Sequence, residues 1–181
     1  MDPRDYSADE TLRDGERVHI RAIVPDDKAG IVDLFNRLSP ETRYFRFLGA
    51  KTCLTDAELV YLTELDFVRQ AALVAELTPD GSPRIVGVAR YAAPPADPLA
   101  RPEVALAVDD QEQGRGIGTL LLTHLARLAA AQGITEFDAY LLAENERMLS
   151  LFRRCGFEID GAVDGNVMRL VLTVPGSSRD R

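Results

Sequence analysis

The chain has 181 residues, 46% of them hydrophobic, enough to bury one core and within the range of one domain. A formal charge of −8 and a pI near 4.8 withhold the cationic surface that a phosphate backbone requires, so nucleic acid is not an expected partner. No apolar run approaches the ~20 residues that span a bilayer, and the polar start Met1-Asp2-Pro3-Arg4-Asp5 is unlike a signal peptide, so a cytoplasmic protein without a membrane partner is expected.

Residues 1–15 are rich in Asp, Arg and small polar groups and predict a flexible arm. The folded domain is expected over residues 16–174, starting with a strand in which Val18, Ile20 and Ala22 alternate with His19 and Arg21. Pro25 ends it. Asp26 to Leu38 carries Ile31, Leu34, Phe35 and Leu38 at helical spacing, and Ser39-Pro40-Glu41 restarts a helix with a capping serine and a first-turn proline. Thr55 and Glu58 form a capping-box pattern before a helix with Leu59 and Leu62. Ala71 to Leu77 and Arg84 to Ala92 are strand-like runs around the turn signal Thr78-Pro79-Asp80-Gly81-Ser82-Pro83. Pro94-Pro95-Ala96-Asp97-Pro98 predicts a stiff loop before a strand over Glu103 to Val108. Ile117, Leu120, Leu121, Leu125 and Leu128 share a helical face, with Gly133 as a left-handed cap. A strand over Phe137 to Leu142, a helix over Asn145 to Cys155 and final strands including Val167 to Val174 follow, and residues 175–181 predict a flexible tail. Meandering strands followed by crossovers give a mixed α/β (α+β) domain, a mostly antiparallel sheet with helices on both faces.

Gln113-Gly114-Arg115-Gly116-Ile117-Gly118 stands between a predicted strand and helix. Its glycines let backbone approach a ligand and present N–H groups at a helix start, where an anion such as a pyrophosphate is favoured. Thr119 breaks the dinucleotide fingerprint, and the Gly-Lys-Ser/Thr ending of a nucleotide-triphosphate loop is missing. A tight turn without a ligand is the bland alternative. Cys53 and Cys155 lie far apart with only His19 and His124 to join them, so neither a disulfide framework nor a metal site is expected.

Gln113-x-x-Gly116-x-Gly118 resembles the acyl-CoA pyrophosphate loop of the GNAT acyltransferase superfamily. Glu103-Val104-Ala105-Leu106-Ala107-Val108 resembles its central strand, and Ala143 through Cys155-Gly156-Phe157 is similar to its asparagine helix ending in Gly-Phe. Leu38 to Phe47 resembles the acceptor-side helices of the bacterial protein-lysine acetyltransferases that modify acyl-CoA synthetases. The resemblance implies a GNAT-like single domain that moves an acetyl group from acetyl-CoA to a primary amine, with a protein lysine as acceptor and a small amine or amino acid as the alternative. Some members of that group carry a cyclic-nucleotide-binding domain, for which 181 residues leave no room, so such regulation is not expected.

By the same resemblance, the backbone of Leu106, Ala107 and Val108 pairs with the pantetheine arm as an added strand, and Gln113, Gly114, Arg115, Gly116, Ile117, Gly118 and Thr119 hold the pyrophosphate. Glu103 matches the general base, on one strand face with Ala105 and Ala107; a solvated strand glutamate is the bland alternative. Asn145 reads as a helix N-cap and, by resemblance, a cofactor contact. Phe152 stands where many members place a tyrosine that protonates the departing thiolate, so the acid is left to water, to Tyr44 or Tyr91, or to none; Phe152 reads as core packing bordering the cofactor arm. Tyr44, Phe45 and Phe47 read as core rather than pocket, Arg43 and Arg46 as solvated, His124 as a boundary residue, and Cys155 as a thiol without an activating partner. A non-catalytic acyl-CoA sensor and a nucleotide-binding regulatory domain are the rivals from other classes. Homo-oligomerisation stays open.

Overall fold

The computed structural model describes residues 2–94, 97 and 100–177; Pro95, Ala96 and Pro98 of the expected stiff loop and residues 178–181 of the expected tail lie outside the described residues. The first strand is β1, Ser7–Thr11, paired antiparallel with β2, Arg17–Ala22. Ser7–Thr11 therefore departs from the loose arm that the polarity of this region suggests. A ladder on β2 needs backbone groups, which polar residues supply as well as apolar ones. Side chains anchor it further: the Tyr6 hydroxyl lies 2.5 Å from Nδ1 of His124, and Glu10 Oε1 lies 3.0 Å from Nε2 of the same ring.

A short 3-10 turn at Pro25–Asp27 leads into α1, Lys28–Arg37, which buries Ile31, Leu34 and Phe35. Helix α2, Pro40–Phe47, starts as its sequence dictates: Ser39 accepts a hydrogen bond from the Thr42 N–H and Pro40 takes the first turn. Helix α3, Asp56–Thr63, opens on the Thr55/Glu58 capping box. Strands β3, Gln70–Leu77, and β4, Arg84–Ala92, form the predicted hairpin, with a register shift at Ala75/Glu76. Then come β5, Glu103–Val108; α4, Ile117–Ala131; β6, Glu136–Leu142; α5, Glu146–Arg154; β7, Glu158–Asp164; and β8, Val167–Thr173. Gly133, with φ +78°, follows α4 as the predicted left-handed residue.

The strands form one sheet in the order β1-β2-β3-β4-β5-β6-β8-β7, antiparallel throughout except where β5 meets β6. Helices α1 and α2 pack on one face against β4 and β5, while α4 covers the other face over β3, β4 and β5 and is met by α5. The expected mixed sheet with helices on both faces is what forms. No helix among the described residues is long and apolar enough to cross a membrane.

Candidate functional site: a cleft where the sheet divides

The one parallel pair among the described residues is also the place where the sheet comes apart. β5 and β6 share a single register position, Glu103↔Asp138, beside a bond from the Asp138 N–H to the Pro102 carbonyl. Beyond Glu103, β5 keeps its ladder to β4 but has no β6 partner among the described residues. The split therefore widens toward the carboxyl ends of two parallel strands, each followed by a helix. In α/β sheets such a crevice is where ligands bind, and a strand edge with free backbone groups accepts an extended ligand as an added strand.

At the end of β5, a 3-10 turn at Asp110–Glu112 leads to Gln113, whose Nε2 donates to the Val108 carbonyl over 3.1 Å. Gly116, with φ +102°, occupies the N-cap of α4 and offers no side chain to its first-turn N–H groups. Those donors remain for an anion, favoured by the helix dipole. Gly118 serves by its size: a Cβ there would lie 3.2 Å from Leu151 Cδ2 and 3.4 Å from Leu106 Cδ2, so its bareness brings α4 against both α5 and β5. Arg115 turns its guanidinium toward the β1–β2 turn, onto Asp14 at 2.6 Å and onto Glu16 and Glu112. Its hydrogen bonds with Asp14, then with Glu16 and Glu112, hold its pKa above the ordinary arginine value. What the loop offers a ligand is thus mainly backbone.

On the α1/α2 face, the register sets Ala92 opposite Glu103, Arg90 opposite Ala105 and Val88 opposite Ala107. Glu103 is exposed at the rim, while Ala105 and Ala107 floor a cavity roofed by Leu34, Phe35, Leu38, Arg46 and Phe47. Two small side chains leave room beside a carboxylate. The solvated reading of Arg46 is corrected here: the residue is partly buried, its guanidinium 4.9 Å from the Phe47 ring centroid, and burial, with the neighbouring Arg90 charge, lowers its pKa to about 10 despite Glu103. Phe47 likewise lines the cavity. Arg90, which sequence reasoning missed, is only 5% exposed and lies 4.4 Å from the Tyr61 ring centroid. Burial lowers its pKa, with Tyr61 and Glu103 opposing. Its signal was available: with Val88 and Ala92 it occupies the alternation of a core-facing strand, where an arginine is out of place.

Two aspartates after β5 tie this roof to the glycine loop. Asp109 takes Arg37 Nε at 2.6 Å, and Arg37 also donates to the Ile85 carbonyl. Asp110 accepts from Ser39 N–H at 2.8 Å, Ser39 Oγ at 2.8 Å and Thr42 Oγ1 at 2.7 Å. Burial opposes ionisation of Asp110, but these hydrogen bonds outweigh it and the pKa falls below the usual carboxylate range.

After β6, Asn145 is buried as the N-cap of α5, accepting from Met148 N–H at 3.2 Å. Phe152 is 2% exposed and packs edge-on to Phe157, leaving little surface to border a cofactor arm; the core takes that ring because α5 lays its apolar face on the sheet. Tyr91 cannot serve the cleft either. It pairs with Val104 on the opposite sheet face, fully buried and stacked on Phe137, with burial pushing its phenol up to about 12. Tyr44 is exposed on α2, and burial raises the Cys155 thiol, in keeping with an unactivated cysteine. His124, expected at a boundary, is 3% exposed and buried by β1.

Residues 33–157 match the family model described as the acetyltransferase (GNAT) family. An acetyltransferase of Pseudomonas aeruginosa is 36% identical over 148 residues, 82% of this chain and 78% of that protein. The acetyltransferase Pat of Mycolicibacterium smegmatis is 31% identical over 145 residues; the match takes in 80% of this chain but 42% of Pat. Among solved structures, the GNAT domain of the Streptomyces lividans PAT superimposes with a TM-score of 0.82 at 32% identity, covering 92% of this chain and 96% of that domain.

Proposed function

The chain belongs to the acetyltransferase (GNAT) family, and we propose that its divided sheet carries acetyl transfer from acetyl-CoA to a protein lysine, with Glu103 as general base. The observation that carries this is the shared face of Glu103, Ala105 and Ala107, a carboxylate at the mouth of a small-residue cleft beside an unpaired strand edge.

The residues fit acetyl-CoA, which supplies the thioester. Gly116 and the uncapped start of α4 suit the pyrophosphate, and the β6-facing edge of Leu106 to Val108 suits the amide-bearing arm. Glu103 takes the proton of the acceptor ammonium, directly or through water, so that a neutral amine attacks the carbonyl carbon and the carbon–sulfur bond breaks. No side-chain acid is assigned to the thiolate: position 152 bears a phenyl ring and Tyr91 lies on the other face. With a thiol pKa of about 8.5, the sulfur leaves as an anion, and the proton that the attacking nitrogen sheds as the amide forms reaches it through water.

The lysine acceptor is supported by Leu38 to Phe47, the run that resembles protein-lysine acetyltransferases: its Leu38, Arg46 and Phe47 roof the cavity. The test is acetylation of a lysine-bearing acyl-CoA synthetase beside a panel of small amines, read by mass spectrometry with wild type and Glu103→Gln. Wild type is expected to acetylate the synthetase. The variant should lose about 10²–10⁴-fold in turnover while stabilisation by acetyl-CoA persists. Turnover of small amines alone would discard the protein substrate, and a joint loss of turnover and cofactor binding would make Glu103 structural.

A further inference from the structure

Most partly buried arginines of this chain have found oxygen acceptors: Arg43 donates to the Phe35 and Asn36 carbonyls and Arg69 to the Pro94 and Asp97 carbonyls, and others have found carboxylates. Arg21 sits on Asp27 and Glu76, Arg37 on Asp109, and Arg115 on Asp14, Glu16 and Glu112. Arg90 is more buried than these, yet the partners it faces are neutral: the Gln70 amide oxygen at 3.5 Å and Tyr61, through both its ring and its hydroxyl. Arg46 beside it rests on the Phe47 ring. Glu103 acts on both only through its field, beyond ion-pair distance. Acidic residues are not in short supply in a chain of charge −8.

A guanidinium taken out of water costs several kcal/mol unless a charged partner replaces the solvent. Ring faces return a fraction of that, about 0.5–2 kcal/mol each. The missing partner is therefore an anion that enters the cavity. The phosphates of the co-substrate are poorly placed to be it. Arg90 lies opposite Ala105, three residues or about 10 Å before Val108, and the glycine loop that suits phosphate begins only beyond that end of the strand. The anion must arrive from the side where the amine arrives.

Resting on the reading of Glu103 as base, we propose that Arg46 and Arg90 are specificity-determining residues that receive a carboxylate carried by the acceptor next to its reactive amine. In a protein this is an Asp or Glu beside the target lysine; in a small acceptor it is the carboxylate of an amino acid. A planar guanidinium fork matches a carboxylate in two hydrogen bonds, which an ammonium or an uncharged amide cannot copy. The rim glutamate and the inner arginines then read the two ends of one acceptor: Glu103 the amine, Arg46 and Arg90 its anionic neighbour.

The test is competition between matched acceptors, read by mass spectrometry as relative kcat/KM. One arm uses lysine peptides with Asp or Glu against Asn or Gln beside the lysine; the other uses free amino acids against their carboxamides. Wild type should prefer the acid member by about 10- to 100-fold, the worth of one charged hydrogen bond, and the arm in which this occurs identifies the source of the carboxylate. Arg90→Met and Arg46→Met, checked for folding by thermal melts, should bring the ratio near parity, while Arg90→Lys should keep part of it. A second measurement needs no turnover: glutarate should raise the melting temperature of the CoA-bound wild type and not that of the double Met variant. Equal use of acid and amide acceptors by wild type, or no stabilisation by glutarate, overturns the proposal. Glu103→Gln separates the two readings, since it should slow both members of a pair while the preference for the acid member persists, raised if anything by loss of the rim charge. If it leaves turnover intact, the base assignment fails while the ratio still reports on the arginines.

Discussion

Asp110 joins the segment between β5 and the glycine loop to the start of α2, and its removal measures what that junction contributes. Asp110→Ala deletes three hydrogen bonds, from Ser39 N–H, Ser39 Oγ and Thr42 Oγ1. Bonds to a charged acceptor are worth about 1.5–3 kcal/mol each. The sum overstates the loss, because Ser39 and Thr42 are only partly buried and water can replace some of the lost acceptor. A destabilisation of about 2–4 kcal/mol follows, which in a domain of this size lowers the melting temperature by about 4–16 °C. Asp110→Asn should cost less than half as much: its amide oxygen can keep the Ser39 N–H while its nitrogen donates to the two hydroxyls, which accept as well as donate, so that chiefly the charge is lost. The functional readout is the KM for the acceptor, expected to rise more than the KM for acetyl-CoA, since the freed group is the start of α2. Thermal unfolding in parallel with steady-state kinetics checks both. A variant within about 0.5 kcal/mol of wild type, with both KM values unchanged, would show that the aspartate is a surface charge and that α2 is held by its apolar contacts alone.

Three further outcomes follow from the same geometry. Gly118→Val should overpack the junction of α4 with Leu151 and Leu106, costing about 1–3 kcal/mol and weakening stabilisation by acetyl-CoA; unchanged binding would exclude Gly118 from the co-substrate's support. Phe152→Tyr should not raise turnover, and the added hydroxyl, buried without a partner, should cost about 1–3 kcal/mol; an increase in kcat would mean that position 152 reaches the leaving sulfur after all. The His124 pKa is lowered by burial, with Glu10 opposing and Arg127 adding to the fall. The unfolded chain therefore takes up this proton first, and the residue's stabilising contribution is complete above about pH 6.5 and lost as pH falls through the lower folded value. Proton NMR should place the His124 titration below 6.5, and His124→Asn should remove that part of the acid loss in melting temperature; a titration above 6.5 would refute the buried, neutral imidazole.

The glycine loop between β5 and α4 was legible in the sequence because its backbone requirements are local. A left-handed Gly116, a bare Gly118 and a helix starting at Ile117 are consecutive, and each is needed for backbone reasons that the residue type itself declares. The strand periods of Val18, Ile20 and Ala22 and the caps at Ser39, Thr55 and Asn145 were readable for the same reason. The cluster of Arg46, Arg90 and Glu103 is assembled from distant pieces. Arg46 comes from α2, Arg90 from β4 and Glu103 from β5, and they meet only because the β4–β5 register sets Arg90 opposite Ala105 while Asp110 pins the start of α2 above them. No local pattern announces such a meeting, and Arg46 alone resembles any surface arginine. Tyr6, His124 and Glu10 show the same limit: β1 folds because its backbone finds an edge and its side chains find a partner more than a hundred residues away. A polar segment that lacks apolar periodicity can still be ordered when the sheet offers an open ladder. An arginine in a core alternation, such as Arg90, is the sign to look for on the acceptor side, since a cation buried without a carboxylate of its own marks the place where a partner from outside is due.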